Sequence, residues 1–440
     1  MIDQKILQAK QAMAEIIHYT QEQTDALIAA ISETIIANAE MLAKEAVAET
    51  KMGRLDHKIG KNTVAGTNLP TFLKGKKSVG VINRLPELGL VEIAHPVGVI
   101  GSVTPTTNPT VTSVGNTVVS LKGRNAIIIS PHPRAKATTI HTVELMREAI
   151  AAIGAPKDLI QIIEEPSQEL TQELMSKSDM NVATGGPGLV HAAYTSGIPS
   201  YGVGPGNTQG ILTEDFDVAA AVELSIISRS FDNGLICACA QTIIYPEKRQ
   251  AELRQEFEKR TAVYFDQPAD VEKIRRALFI DGQLNPAVVG QSPQFIGELA
   301  GVPIKDEAEI IVVQIEEFGA ADVLCQEKMC PVLAAIPYRE FADALEICQA
   351  NLKVAGKGHS VAIYSHDDDK ILQLGLAMPV CRIIVNQPSI DAAGGPGNGL
   401  NPTPSLGCGS WGKNIISENL RYDHLLNISR IAYPLARETY

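Results

Sequence analysis

Short apolar runs alternate with helical patterns from about residue 97 to residue 364, and this alternation narrows the fold more than any other feature. Val97–Thr104 reads as a buried strand, followed by a helix from about Val111 to Leu121. Ala126–Ser130, Leu159–Ile163, Val182–Thr184 and Ile198–Val203 repeat the strand pattern, with helical stretches between them. After a helix at Val218–Ser228 the alternation resumes with Ile243–Tyr245, Ile310–Ile315, Val332–Ile336 and Ser360–Tyr364. Parallel strands need a crossover between them, and a helix is the usual one, so the pattern predicts doubly wound α/β layers.

Residues 3–50 have helical spacing throughout, with Thr20 and Gln23 placed to start a second helix, and they read as a helical preface to the sheets. Hydrophobic residues are 45% of the chain and aromatics only 5%, as suits helices packed on parallel strands. The net charge of −12 disfavours nucleic acid, whose phosphates need clustered cations. No apolar run is long enough to span a membrane, and the N-terminus does not read as a signal peptide. The seven cysteines form no disulfide or zinc-ligand pattern, which predicts reduced thiols, a cytoplasmic location and no metal site.

Three segments carry chemistry-bearing residues. T-G-G-P-G at 184–188 stands between a strand and a helix, where backbone N–H groups can approach phosphates, although the G-x-G-x-x-G fingerprint is absent. F-D-N-G-L-I-C-A-C-A-Q at 231–241 sets Cys237 just beyond a glycine turn. E-K-M-C-P at 327–331 and G-K-G-H-S at 356–360 supply a glutamate and a histidine. Each alone reads equally well as a packing or turn element.

Together with HPVGVIGSVTPTTNP, SLKGRNAIIISPHPRAK, GVGPGN and PSLGCGSWGKN, these segments resemble the aldehyde dehydrogenase superfamily, in family order over about residues 95–420. The resemblance is strongest to CoA-acylating enzymes: the aldehyde-oxidising half of bifunctional aldehyde–alcohol dehydrogenases, and single-domain acetaldehyde and sulfoacetaldehyde dehydrogenases. It implies two doubly wound α/β domains with a β-rich oligomerisation arm. The NAD(P)-binding domain is expected at 1–230, with part of the arm near 80–96. The catalytic domain is expected at 231–400, and 401–440 is expected to complete the cofactor domain or arm, giving a homodimer or larger assembly. No iron-dependent alcohol dehydrogenase domain follows the match, so no iron and no alcohol-forming step are expected.

The resemblance also assigns roles. Cys237 is the nucleophile, Asn108 donates to the oxyanion, and His359 moves protons. Thr104, Pro105, Ser130, His132, Gly185, Gly186 and Glu327 hold NAD or NADP, with Glu327 on the nicotinamide ribose. A free thiol has a pKa of about 8.5, so the site is expected to lower it or to deprotonate the thiol on demand. Hydrolytic relatives carry a water-activating glutamate where this chain reads Gly202-Val203-Gly204-Pro205-Gly206-Asn207. A thioester on Cys237 is therefore expected to await a thiol, coenzyme A. Release of a free acid, and a non-catalytic cofactor-binding scaffold allowed by Ala240, are the competing readings. Cys239 would share a strand face with Cys237 and could pair with it under oxidation. The loop 391–404 is expected near the substrate entrance.

Overall fold

A computed structural model describes residues 1–394 and 397–435. Two parallel sheets dominate it. The first has five strands in the spatial order Ile160–Ile162, Ala126–Ser130, Val99–Val103, Met180–Thr184, Ser200–Val203. Strand order reverses between Val99–Val103 and Met180–Thr184, so the connections leave on opposite faces and a crevice opens at the strands' C-terminal ends. The second sheet has seven strands in the order Ala262–Phe265, Ile310–Gln314, Val332–Tyr338, Ala240–Pro246, Thr208–Leu212, Gly358–Tyr364, Val380–Val385. Its strands are Val, Ile and Ala runs buried on both faces, as a parallel sheet covered by helices requires.

The helical preface is four helices: Ile2–Glu15, Gln21–Ala37, Ala39–Thr50 and Leu55–Leu73. Thr20 caps the second through a reciprocal box: its Oγ1 accepts from the Gln23 amide at 3.3 Å, and Gln23 Oε1 accepts from the Thr20 amide at 2.9 Å. The sequence pattern stopped at residue 50 and missed Leu55–Leu73, whose interior contains Gly60, Gly66 and Pro70. That helix and Gln21–Ala37 back the helix Pro109–Lys122, and so Pro109–Lys122 is buried on nearly every side.

The chain leaves the first sheet at Val203 and enters the second at Thr208. The strand Thr208–Leu212 and the helix Val218–Ser230 therefore belong with the second sheet, which corrects the expected division at residue 230. Asn207 locks this linker, its side-chain amide donating to the carbonyls of Cys325 at 2.9 Å and Asn351 at 3.2 Å. A three-stranded antiparallel sheet joins Gly80–Leu85, Leu90–Pro96 and Leu426–Ala432, with Ile428 opposite Ala94. The expected C-terminal segment runs on to residues 436–440, which lie outside the described residues. Among the described residues, no single helix is long and apolar enough to cross a membrane.

Replacing Thr20 with Ala removes one side of the cap. Chemical denaturation should show a loss of about 1 kcal/mol with kcat unchanged.

Candidate active site

The C-terminal ends of the first sheet face the N-terminal ends of the second. Residues 104–108 and 184–188 follow strands of the first sheet, whereas Gly206, Cys237, Glu327 and His359 lie at or before the starts of second-sheet strands. Between the two sets lies a cavity of about 630 Å³. Thr104, Pro105, Asn108, His132, Gly185, Gly186, Cys237 and Glu327 all line it.

Two expected residues stand elsewhere. Ser130 is buried at its strand end, its Oγ sharing a hydrogen bond with Thr171 Oγ1 at 2.7 Å, and it does not line the cavity. His359 is fully buried and also outside the lining, with Nδ1 at 2.9 Å from Ser360 Oγ and Nε2 without a partner among the described residues. Burial, aided by the nearby Arg382 guanidinium, holds the His359 imidazole well below its ordinary pKa. It is neutral across the physiological range, and burial opposes its taking up a proton.

The turn before Cys237 explains the sequence Asp232-Asn233-Gly234. All three residues take left-handed backbone, with φ of 50°, 53° and 73°. Asp, Asn and Gly are the residues that adopt it at least cost. The fully buried Arg229 closes the turn by donating to the carbonyls of Ala240 at 2.8 Å, Gly234 at 3.1 Å and Cys330. Gly206 is required by close approach, because a Cβ there would lie 1.9 Å from the Cys237 carbonyl oxygen.

Cys237 and Cys239 precede the strand Ala240–Pro246 and sit in a turn, so the expected shared strand face does not exist. Cys239 is fully buried, with its thiol 3.7 Å from the Phe231 carbonyl oxygen. Cys237 remains open to the cavity. Burial pushes its thiol pKa up, Glu327 and Cys408 raise it further, and Arg382 opposes them. In this environment burial disfavours the Cys237 thiolate rather than stabilising it.

Sequence reasoning missed a buried charge cluster behind the cavity. The helix Leu55–Leu73 presents Lys58 and Lys61, and both donate to Asp232 Oδ2, Lys58 at 3.0 Å. Lys61 Nζ also reaches Asn108 Oδ1 at 2.6 Å, and Lys58 Nζ reaches the Thr107 carbonyl at 3.3 Å. Burial opposes ionisation of Asp232, but Lys61 and Lys58 outweigh it and hold the carboxyl below its usual range. Burial, with Lys61 beside it, lowers Lys58 to about 8. The only legible signal was two lysines three apart, which ordinarily marks a solvated helix face.

The cavity suits a dinucleotide. Thr104 Oγ1 and Thr184 Oγ1 are buried at its edge without a partner among the described residues. A Cβ on Gly186 or Gly188 would meet nothing within 4 Å, leaving room at the N-terminus of helix Pro187–Thr195. His132 Nδ1 accepts from the Arg134 amide at 3.1 Å, which leaves Nε2 to carry the ring proton. Among the described residues Glu327 supplies the only carboxylate in the lining, and its Oε1 accepts from the Gly206 amide at 3.3 Å. Burial pushes Glu327 up to about 7 despite that bond and the positive charges of Arg229 and Lys328. Pro404 also lines the cavity, so one end of the loop 391–404 reaches it, while residues 395–396 lie outside the described residues.

The model of the Aldehyde dehydrogenase family matches residues 1–274. The chain is 46% identical over 432 residues to succinate-semialdehyde dehydrogenase (acetylating) of Clostridium kluyveri, covering 98% of this chain and 95% of that protein. It is 38% identical over 442 residues to sulfoacetaldehyde dehydrogenase of an Acholeplasma species, covering 98% and 90%. Its structure superimposes on an acetylating aldehyde dehydrogenase from Geobacillus thermoglucosidasius with a TM-score of 0.96 at 36% identity, covering 100% and 97% of the two chains. The chain belongs to the aldehyde dehydrogenase family, in its acylating branch.

Two outcomes test this geometry. Gly206→Ala should displace the Cys237 backbone and lower kcat about a hundredfold, with circular dichroism unchanged. Glu327 retains a proton between its usual value of 4.5 and about 7 that the unfolded chain has lost, so its contribution to stability declines as pH rises across that window. Glu327→Gln should flatten this slope, and urea unfolding should find it more stable than wild type above that window by on the order of 2 kcal/mol.

Proposed function

We propose that this chain oxidises a short aldehyde with NAD or NADP and coenzyme A to the acyl-CoA, reversibly, through Cys237. The observation that carries the reading is Cys237 opening onto the same cavity as Asn108, Gly185, Gly186 and Glu327. Cys237 sulfur adds to the aldehyde carbon, and the side-chain amide of Asn108 donates to the oxygen that gains charge. A well-placed donor of this kind contributes about 3 kcal/mol to the barrier. When bound, the nicotinamide cofactor accepts the hydride. Cys237 then holds a thioester, which the thiol of coenzyme A displaces. His359, whose Nε2 has no partner among the described residues, is the base assigned to thiol deprotonation on the G-K-G-H-S resemblance. Thr104, Pro105, His132, Gly185 and Gly186 line the groove for the dinucleotide, and Glu327 is assigned to the nicotinamide ribose. Ser130 supports that groove through Thr171 rather than touching the cofactor.

One observation favours release of a free acid. Glu327 lies near enough to Cys237 to raise its thiol pKa, and its own value of about 7 suits a base for water. Against this, Glu327 is engaged by the Gly206 amide, and the relatives above are named acetylating.

The aldehyde belongs to the acetaldehyde or sulfoacetaldehyde class, with succinate semialdehyde as the third candidate. The relatives named for the latter two act on aldehydes with an anionic group. The reduced cysteines fit the cytoplasm. The exposed edges of the sheet Gly80–Leu85, Leu90–Pro96, Leu426–Ala432 suit pairing in a homodimer or larger assembly.

NADH or NADPH formation from these three aldehydes, with and without CoA, tests the reading. With CoA, turnover should be continuous. Without it, one equivalent per active site should form and the reaction should stop. Sustained turnover without CoA supports the hydrolytic alternative, and full activity in Cys237→Ala refutes the assignment altogether.

A further inference from the structure

The cluster behind the cavity contains one more ammonium than its carboxylate requires. Asp232 is fully buried, and Lys58 at 3.0 Å already supplies a counter-charge from the same helix. Lys61 is 8% exposed, and burying a second ammonium costs several kcal/mol unless it makes bonds of its own. Its additional bond is to Asn108 Oδ1, at 2.6 Å.

That bond fixes which way the amide faces. An ammonium has three hydrogens and no lone pair, so the edge of the carboxamide in front of it must be the oxygen. The NH2 edge then lies away from the ammonium, on the side where Nδ2 donates to Thr107 Oγ1 at 3.3 Å, and both Asn108 and Thr107 line the Cys237 cavity, whereas Lys61 does not. The void beside Lys58, Lys61 and Asn108 measures about 10 Å³, barely enough for one water, so solvent cannot easily replace the lysine. A positive charge on the oxygen end also polarises the amide and strengthens its N–H groups as donors.

We propose that Lys61 is a positioning residue for aldehyde attack: it clamps the Asn108 carboxamide with its oxygen turned back and its N–H groups toward the substrate oxygen. Through Asp232 the same ammonium ties that amide to the turn carrying Cys237, so donor and nucleophile share one anchor. This rests on the reading of Asn108 as the oxyanion donor.

The test is a double-mutant cycle on the single-turnover rate constant for hydride transfer, which does not depend on how much enzyme has folded. Asn108→Ala should slow hydride transfer about 100-fold, in the range for loss of one oxyanion donor. Lys61→Met should slow it about 10- to 50-fold, with the Kd for the reduced cofactor within about twofold of wild type. The double variant should be at most about twofold slower than Asn108→Ala, because the rate effect of Lys61 passes mainly through that amide while Lys58 still pairs with Asp232. Lys61→Arg, which keeps a charged donor, should recover part of the rate. Lys61→Gln carries the same cycle if Lys61→Met does not fold. Multiplicative effects in the double variant, or a wild-type rate in Lys61→Met, would overturn the role of Lys61 and leave the Asn108 assignment standing. A wild-type rate in Asn108→Ala would overturn both.

Discussion

A single buried carboxylate joins the three parts of the chain that must meet for this site to exist. Asp232 belongs to the turn before Cys237, its lysine partners to the N-terminal helices, and Asn108 to the loop leaving the first sheet. An unpaired charge at that depth would be strongly destabilising, so the helix Leu55–Leu73 must dock correctly for the turn to persist. The left-handed backbone of Asp232 and Asn233 is held in the same way, since the Arg54 amide donates to Asp232 Oδ1 at 2.9 Å and Asn233 donates to the Gly290 carbonyl at 2.9 Å. The Asp232 amide in turn donates to His57 Nδ1 at 2.8 Å, while the His57 ring stacks on Phe231 at 4.8 Å.

The opposed sheet ends determine what the cavity can do. Strand C-termini in the first sheet supply loops and a helix N-terminus, which suit an anionic dinucleotide. Strand N-termini in the second sheet supply the thiol, the carboxyl and the imidazole. Both the thiol and Glu327 are pushed toward their neutral forms by burial, and His359 is neutral for the same reason. Burial thus disfavours charge on the thiol and the imidazole, and on Glu327 only in part, since its carboxyl lies near 7.

Much of the fold was legible from periodicity. Ala126–Ser130 falls where the sequence placed it, and the helices Pro109–Lys122 and Val218–Ser230 lie within a few residues of their expected bounds. The helix Leu55–Leu73 was not legible, because glycine and proline interrupt it and the first half of its buried face is Lys58, Lys61 and Asn62, with Ala65, Leu69 and Leu73 following only in the second half. Periodicity detects apolar stripes, and this one is too short to stand out. The same limit hid Lys61 and Asp232 behind Asn108. The misplacement of Cys239 on a strand has a different cause: it lies in the bend immediately before the strand starts at Ala240, and nothing in C-A-C-A-Q marks where that bend ends.

The residue types by themselves determined the parallel α/β layers, the Asp-Asn-Gly turn ahead of the nucleophile and the family to which the chain belongs. Those features depend on local conformational preference and on ordered motifs, both written along the chain. Only the tertiary structure decided that Ser130 and His359 stand back from the cavity, that burial disfavours the Cys237 thiolate, and that the sheets divide at residues 204–207. Burial and charge pairing act between segments far apart in sequence, and neither has a value until the chain has closed around them.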